Sequence, residues 1–324
     1  IEFSPDSKLE IIEDYSFYKS SLTIIAIPDS VTQIGDRAFY ECLYLKTVKF
    51  TKFSKLEKIN TDTFYNSSIE DIFIPPNVTY IGERAFYSCK KLKTISIPSD
   101  SKLKIIDKNA FSSSSIENIS LPSSLIHICE NAFSNTPNLK SVTFPEDSNL
   151  QFIDKNVFSF SPIESIFIPS KVIELNEEWF RGTRNMVNIS VSKENKRFCL
   201  FDEKYLLYKS SENKDNFDVL VYAKNGIEDI SIPSNIKIIS SFVFDEYKCV
   251  KTVKFTPDSK LQSIGMNAFK RTSIKSIEIP SSVTIIGNSA FNYCRNLTKF
   301  TFQKNSKLEI ISNFAFNSSG ICCL

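Results

Sequence analysis

The residues that could carry chemistry in this chain are eight cysteines and a single histidine, His127. Cys42, Cys89 and Cys294 each follow an aromatic residue by three positions, where most other segments carry serine or threonine. This pattern indicates a small, weakly polar side chain that satisfies a backbone group inside a turn. The cysteines lack the Cys-x-x-Cys and His spacing of a zinc site. We therefore predict structural thiols, no metal site and no cofactor.

The histidine offers little support for catalysis. His127 falls on an outward position of a predicted strand, and we interpret it as a solvated side chain. With one histidine, the sequence provides no convincing Cys-His or His-carboxylate arrangement. Carboxylates are spread evenly along the chain, and the isolated Ile-Gly pairs do not form a phosphate-binding loop. The chain is predicted not to be an enzyme and to bind no small-molecule substrate.

Charge and hydropathy exclude two further classes of function. Basic and acidic residues number 39 and 37, which gives a net charge of +2. The sequence has no basic block, so we expect no binding to nucleic acid. It also has no apolar stretch long enough to span a membrane as a helix.

The elements that position these residues repeat along the chain. Aromatic residues recur at intervals that alternate between 22 and 25, a period typical of a solenoid. Tyr222 is interpreted as a hidden member, because a proline follows it by eleven residues, as Pro75 follows Phe64. The interval from Phe180 to Tyr222 then contains 17 inserted residues. The thirteen aromatics are Phe17, Phe39, Phe64, Phe86, Phe111, Phe133, Phe158, Phe180, Tyr222, Phe244, Phe269, Phe291 and Phe316.

Each unit contains two apolar segments. One alternates with period two and is often closed by proline, as in Leu92, Ile95, Ile97 and Pro98, which predicts a strand with one buried face. A shorter segment precedes each aromatic and predicts a strand on the opposite wall. The predicted fold is mainly β, with parallel strands stacked on two walls and joined by short turns or 3-10 segments. It contains thirteen units of alternating 22 and 25 residues, each contacting its neighbours.

The repeated motif resembles a known family. Ile27-Pro-Asp-Ser-Val-Thr-Gln-Ile-Gly-Asp-Arg-Ala-Phe39-Tyr-Glu-Cys42-Leu-Tyr-Leu45 returns as Ile279 to Leu297, where the Ile-Pro, Ser-Val-Thr, Ile-Gly, Ala-Phe and Cys residues recur. This motif is similar to the repeat of BspA-like (Treponema pallidum-type) leucine-rich repeat surface antigens. The resemblance implies a leucine-rich repeat solenoid that acts in adhesion and host–pathogen interaction. It implies a host matrix or cell-surface protein, such as fibronectin, as the partner.

The repeat pattern also predicts the domain organisation. We expect a single leucine-rich repeat domain over 1–324, with regular units in 1–191 and 233–324 and an irregular, hairpin-bearing unit in 192–232. The array begins and ends within the repeat, so we expect a piece of a longer array. In the irregular unit, Phe198–Leu200 and Tyr205–Tyr208 should leave the regular coil. Tyr205–Tyr208 should pair with Asp218–Val221 across the polar turn Ser210–Asn216.

The outward side chains of the main strands predict a binding face. They form two columns of mostly small, hydroxyl-rich residues, interrupted by two phenylalanines. Aromatic anchors carry much of the energy of protein interfaces, so these two are candidate partner contacts. A second candidate surface is the insertion, because irregular segments on rigid scaffolds often carry recognition. The candidate residues are Phe73, Phe167, Lys49, Asp71 and Asn118 on the strand face and Tyr205 and Tyr208 in the insertion.

Two function classes fit this sequence. The first is a non-enzymatic protein-binding module of a cell-surface or secreted adhesin, which the family resemblance implies. The second is an intracellular, cytoplasmic scaffold for protein–protein interaction with the same fold. Unpaired cysteines favour a reducing compartment and so the second class.

Overall fold

The computed structural model describes residues 1–4, 6–176, 178–210 and 216–321. The chain divides into two compact units, Ile1–Asn195 and Lys196–Leu324. Each is a β-solenoid built from short parallel strands, and the described residues contain no helix. The predicted fold class is confirmed. The boundary between the units falls inside the irregular segment 192–232, and a single domain over 1–324 stays a prediction.

The longer strands of each unit form its main sheet. All strands are numbered in chain order. In the first unit this sheet is parallel and contains β2 (Ile24–Ala26), β4 (Thr47–Lys49), β6 (Asp71–Phe73), β8 (Thr94–Ser96), β10 (Asn118–Ser120), β12 (Ser141–Thr143), β14 (Ser165–Ile168) and β16 (Asn188–Val191). In the second unit it contains β20 (Asp229–Ile232), β22 (Thr252–Phe255), β24 (Ser276–Ile279) and β26 (Lys299–Phe302).

Strands of mostly two residues form the second wall. In the first unit these are β1 (Ile11–Ile12), β3 (Gln33–Ile34), β5 (Lys58–Ile59), β7 (Tyr80–Ile81), β9 (Ile105–Ile106), β11 (His127–Ile128), β13 (Phe152–Ile153) and β15 (Glu174–Leu175). In the second unit they are β21 (Ile238–Ile239), β23 (Ser263–Ile264), β25 (Ile285–Ile286) and β27 (Ile310–Ile311). The same sheet of the second unit also contains β17 (Phe198–Phe201), β18 (Tyr205–Tyr208) and β19 (Val219–Ala223).

The core follows from the alternation of the main strands. In β6, Ile72 is buried while Asp71 is exposed and Phe73 is half-buried, and β8 repeats this pattern around Ile95. Buried Ile, Leu and Val side chains of the two walls face each other inside each unit. A single coil could not enclose such a face, so stacking of successive coils supplies the burial that holds the fold.

Aromatic turns close the core at one side. In the first unit the rings stack nearly parallel from Phe17 to Phe158, with centroids 5.0 to 5.8 Å apart. In the second unit they stack from Phe244 to Phe316 at 4.9 to 5.4 Å. The backbone supports the stack, since Phe111 N donates to the carbonyl of Ala132 in the next turn at 2.8 Å. The predicted internal column is present over these residues.

Two members differ from the other turns in their surroundings. Phe180 is only half-buried, whereas the preceding Trp179 is buried and meets the ring of Phe158 edge-on at 6.3 Å. The indole occupies the position that small alanines hold in most other turns, and it meets the ring of Phe180 edge-on at 4.6 Å. Tyr222 is buried but lies in β19, so it is a strand residue rather than a turn residue.

A column of hydroxyls and thiols runs beside the rings, as the sequence predicts. Ser114 Oγ donates to the carbonyl of Phe111 at 2.7 Å, and Cys89 Sγ donates to the carbonyl of Phe64 at 3.1 Å. Burial raises the pKa of the Cys89 thiol to about 11, so the thiol keeps the proton that it donates. Cys42 and Cys294 make the same bond to Phe17 and Phe269.

Most turns contain two residues in left-handed backbone conformation, two positions before and two positions after the aromatic. Glycine would adopt this conformation freely, yet nearly all of these residues carry side chains. Among other residues, asparagine tolerates it best. Asn267 has φ 54°, while Phe314, at the corresponding position of another turn, has φ 58° and is 68% exposed.

Replacing Phe314 with Asn is expected to stabilise the protein by about 0.5–1 kcal/mol, because it relieves backbone strain and removes an exposed ring that packs little. The reciprocal change Asn267→Phe serves as the matched control and should destabilise by a similar amount. Urea denaturation measures both changes. A lower midpoint for Phe314→Asn would show that the left-handed strain is not the deciding effect.

The inserted segment forms the predicted hairpin. β17 and β18 pair antiparallel, and so do β18 and β19, with Tyr208 opposite Val219 and Tyr205 opposite Ala223. The partner strand β19 thus extends to residue 223, slightly further than predicted. The pairing of β18 with β19 contains a register shift between Leu206 and Leu207. We expect deletion of Ser211–Asp215 to leave folding intact, but these residues lie outside the described part of the chain.

Candidate functional site

The outward columns of the main sheet are in register. Asp71 pairs with Thr47 on one side and Thr94 on the other, and Asn118 follows opposite Thr94. These strands are parallel, and equivalent positions of neighbouring strands lie opposite each other. Outward side chains therefore line up along the sheet. Hydroxyls bridge neighbouring strands: Thr143 Oγ1 donates to Ser120 Oγ at 2.9 Å. This face is therefore a preformed row of small polar groups.

Two adjoining grooves open where the strands of this face end. The first has a volume of 340 Å³ and is lined by Phe73, Asn118 and residues of β8, including Ser96. The second has a volume of 460 Å³ and continues past Ser120 to Thr143, with apolar and proline residues among those that line it. Two residues predicted from the sequence, Phe73 and Asn118, thus lie at one concave feature.

The other predicted residues of the strand face lie farther along the same sheet. Phe167 is half-buried in β14, four strands from Phe73, which corresponds to roughly 19 Å at ~4.8 Å per strand. Lys49 is exposed at the end of β4, and Asp71 is exposed in β6. Phe73 and Phe167 keep part of their rings accessible, so each could contribute apolar area to a partner.

The two predicted tyrosines of the insertion behave differently. Tyr205 is 3% exposed, and its hydroxyl accepts a hydrogen bond from the Ser231 amide at 3.3 Å. It packs in the core of the second unit and is not accessible to a partner, which corrects its choice as a contact residue. Tyr208 is half-buried, with the Arg197 guanidinium 4.9 Å from its ring centroid and bonded to its hydroxyl. Tyr208 alone remains a candidate.

A cluster on the second wall was missed by sequence reasoning. His127, Cys129 and Asp154, called here the His–Cys–Asp cluster, place their ligand atoms within 4.8 Å of one another. His127 Nε2 lies 3.1 Å from Asp154 Oδ1 but is shielded from solvent and has no hydrogen-bond partner among the described residues. The interpretation of His127 as a solvated side chain is thus wrong at this nitrogen.

The surroundings of Cys129 are strongly negative. Burial, followed by the charges of Asp107 and Asp154, raises the pKa of its thiol to about 12. The Asp107 carboxylate also accepts a hydrogen bond from the Tyr80 hydroxyl, and Asp154 accepts one from the Asn176 amide at 3.2 Å. The repeat contained the signal for this cluster. Asp107, Cys129 and Asp154 occupy the same repeat position in successive units, so stacking places them side by side.

No helix among the described residues is long and apolar enough to cross a membrane. A comparison with curated protein sequences finds no match. Solved structures share the fold. A leucine-rich repeat protein from Bacteroides ovatus is 21% identical, with a TM-score of 0.60, over 92% of this chain and 77% of that protein. The pneumococcal vaccine antigen PcpA is 22% identical, with a TM-score of 0.64, over 92% and 76%.

A third structure is a leucine-rich cell surface protein from Faecalibacterium prausnitzii. It is 22% identical, with a TM-score of 0.58, over 94% of this chain and 87% of that protein. The sequence also matches the family profile described as BspA type leucine rich repeat region, in six copies over residues 10–105, 104–201 and 218–323. These matches span most of the chain and coincide with the coils described above. The chain belongs to the BspA-type leucine-rich repeat family.

Proposed function

We propose that this chain is a non-enzymatic protein-binding module that docks a partner on the main sheet of its first unit. The observation that carries the proposal is the groove beside Phe73, which combines a partly accessible ring with Asn118 and a row of hydroxyls. A leucine-rich repeat solenoid is typically a scaffold for protein interaction, and its extended sheets offer long recognition surfaces. Apolar anchors surrounded by small polar groups are typical of protein interfaces.

The second anchor of the proposed surface is Phe167. At roughly 19 Å from Phe73, it lies within the reach of one protein partner, since standard interfaces bury about 800 Å² on each side. Lys49 and Asp71 supply opposite charges on neighbouring strands of the same face. They would contribute to the orientation and rate of docking more than to its strength.

The proposed setting is a cell surface or the extracellular space, and the proposed partner is a host extracellular protein such as fibronectin. The support is the family and the names of two proteins with this fold, a vaccine antigen and a cell surface protein. One observation favours the alternative of an intracellular scaffold. The six cysteines of the described residues are free thiols, and four of them are buried. Antibody labelling of intact cells separates the two settings.

The double change Phe73→Ser and Phe167→Ser is expected to weaken binding of an immobilised host matrix protein by at least roughly tenfold. The melting temperature should change by no more than a few degrees, because neither ring belongs to the fully buried core. Biolayer interferometry with fibronectin as the first probe, and other matrix proteins in parallel, measures the affinity.

The matched control is Phe53→Ser with Phe160→Ser, which removes two exposed rings of the same unit that lie outside the main sheet. It should leave binding unchanged. Equal affinities for the parent and the Phe73/Phe167 variant would remove the main sheet from consideration and direct attention to Tyr208. A parent that binds no host surface or matrix component, and is retained inside cells, would favour the scaffold.

A further inference from the structure

We propose that the His–Cys–Asp cluster of His127, Cys129 and Asp154 is a binding site for a divalent transition-metal ion of the zinc type. The three side chains offer one nitrogen, one sulfur and one oxygen ligand, all within 4.8 Å. In a tetrahedral zinc site, bonds of ~2.0–2.3 Å place neighbouring ligand atoms roughly 3.3–3.8 Å apart. The observed 3.1 Å between His127 Nε2 and Asp154 Oδ1 is close to that range, and small side-chain rotations bring the set into place.

The unsatisfied nitrogen is an independent observation. Among the described residues, His127 Nε2 has neither solvent contact nor a hydrogen-bond partner, although a carboxylate oxygen is 3.1 Å away. A shielded polar atom without a well-aligned hydrogen bond costs free energy. A cation bound between His127 Nε2 and Asp154 Oδ1 would give both atoms a partner.

The chemistry of the set selects the class of metal. Imidazole and thiolate are ligands of zinc and related transition metals, whereas calcium and magnesium prefer oxygen ligands alone. Binding displaces the Cys129 proton, and thiolate and carboxylate together neutralise the charge of a divalent ion. Asn176 donates to Asp154 and holds its carboxylate, as outer partners of metal ligands do.

The site would join two successive coils. His127 and Cys129 come from β11 and the turn after it, and Asp154 follows β13. The side chains of His127 and Asp154 remain 32% and 27% exposed, so the cluster lies near the surface, and a small side-chain rotation would open Nε2 to an ion. Three protein ligands leave one position for water. A metal here would act as a clamp on the second wall of the first unit.

Cobalt provides a direct test, because a cobalt–thiolate bond gives a charge-transfer absorption in the near ultraviolet. The full chain is freed of metal with a chelator, kept reduced with a phosphine, and titrated with CoCl₂ and then with ZnCl₂ as competitor. We expect one cobalt ion with thiolate absorption, displaced by zinc. Zinc should also raise the melting temperature of the parent.

Matched variants locate the site. Cys129→Ser should abolish the charge-transfer band, and His127→Gln and Asp154→Asn should each weaken cobalt binding by at least the roughly 10–100-fold that loss of an outer partner of a ligand costs. One control is Cys249→Ser, which removes an exposed thiol elsewhere, and the other is the double change Cys322→Ser with Cys323→Ser; both should keep the band. Far-ultraviolet circular dichroism confirms folding, and the nearly isosteric Asp154→Asn keeps the test valid if Cys129→Ser perturbs the coil.

Two results would overturn the proposal. The first is a parent that binds no cobalt and gains no thermal stability from zinc, in which case His127 and Asp154 form only an ion pair. The second is a band that survives Cys129→Ser or is lost in one of the cysteine controls, because the metal would then be bound by other thiols.

Discussion

Replacing Phe111 with Ala is expected to lower the free energy of unfolding by about 3–5 kcal/mol. The ring is fully buried and stacks between Phe86 at 5.1 Å and Phe133 at 5.2 Å. Its removal forfeits burial and leaves a cavity that the neighbours cannot fill, because turn-to-turn hydrogen bonds hold their backbones at the repeat spacing. Stacked aromatic pairs add to the loss.

Chemical denaturation followed by circular dichroism measures this effect. Phe53→Ala is the matched control, since that ring is 69% exposed, and it should change stability by less than about 0.5 kcal/mol. A Phe111→Ala protein as stable as the parent would mean that the stacked column does not support the core.

Gly287→Ala is expected to destabilise the second unit by about 2–3 kcal/mol, although it adds a single methyl group. A Cβ at this position would lie 2.7 Å from the carbonyl carbon of Gly265 and 2.8 Å from the carbonyl oxygen of Ile264. Both are backbone atoms of the preceding coil, so they cannot rotate away as a flexible side chain would. The coils would have to separate locally, which weakens the ladder between β23 and β25.

Ser240→Ala is the control for this change. Ser240 occupies the same repeat position in an earlier coil that already accommodates a side chain, so its loss of a hydroxyl should cost less than about 0.5 kcal/mol. Thermal denaturation of the two variants against the parent gives the comparison. Equal melting temperatures for Gly287→Ala and the parent would show that the coils are spaced more loosely than the glycine contacts indicate.

The sequence was sufficient to predict what the repeat enforces. The interval of the aromatics and the alternation around residues such as Ile72 and Ile95 predicted two walls and their register, and the polar break in the insertion predicted the hairpin of β18 and β19. These features depend on local spacing and on one rule, that successive coils stack. The strand-face residues Phe73 and Asn118 were predicted for the same reason, although the groove between them was not.

The predictions from sequence fail where a residue differs in type from those at the same repeat position in other coils. Trp179 takes the buried space beside Phe158, which depends on the volume of the indole rather than on any periodicity. The His–Cys–Asp cluster was missed because Asp154 lies 25 residues after Cys129 in the sequence, and motifs for metal sites are sought within a short segment. In a solenoid, side chains one repeat apart are nearest neighbours.

The stacking of the main sheet also constrains how such an array can change in length. One exposed position just before each main strand carries alternating charge in six successive coils: Lys46, Glu70, Lys93, Glu117, Lys140 and Glu164. Backbone hydrogen bonds hold these residues in register, as Lys93 N donates to the Glu70 carbonyl at 2.9 Å. Gain or loss of one coil within this series would bring like charges together, whereas a short and a long unit copied together preserve both the alternation and the 22/25 rhythm. Duplication in pairs would therefore lengthen the main sheet by roughly 10 Å at a time while leaving every existing neighbour in place.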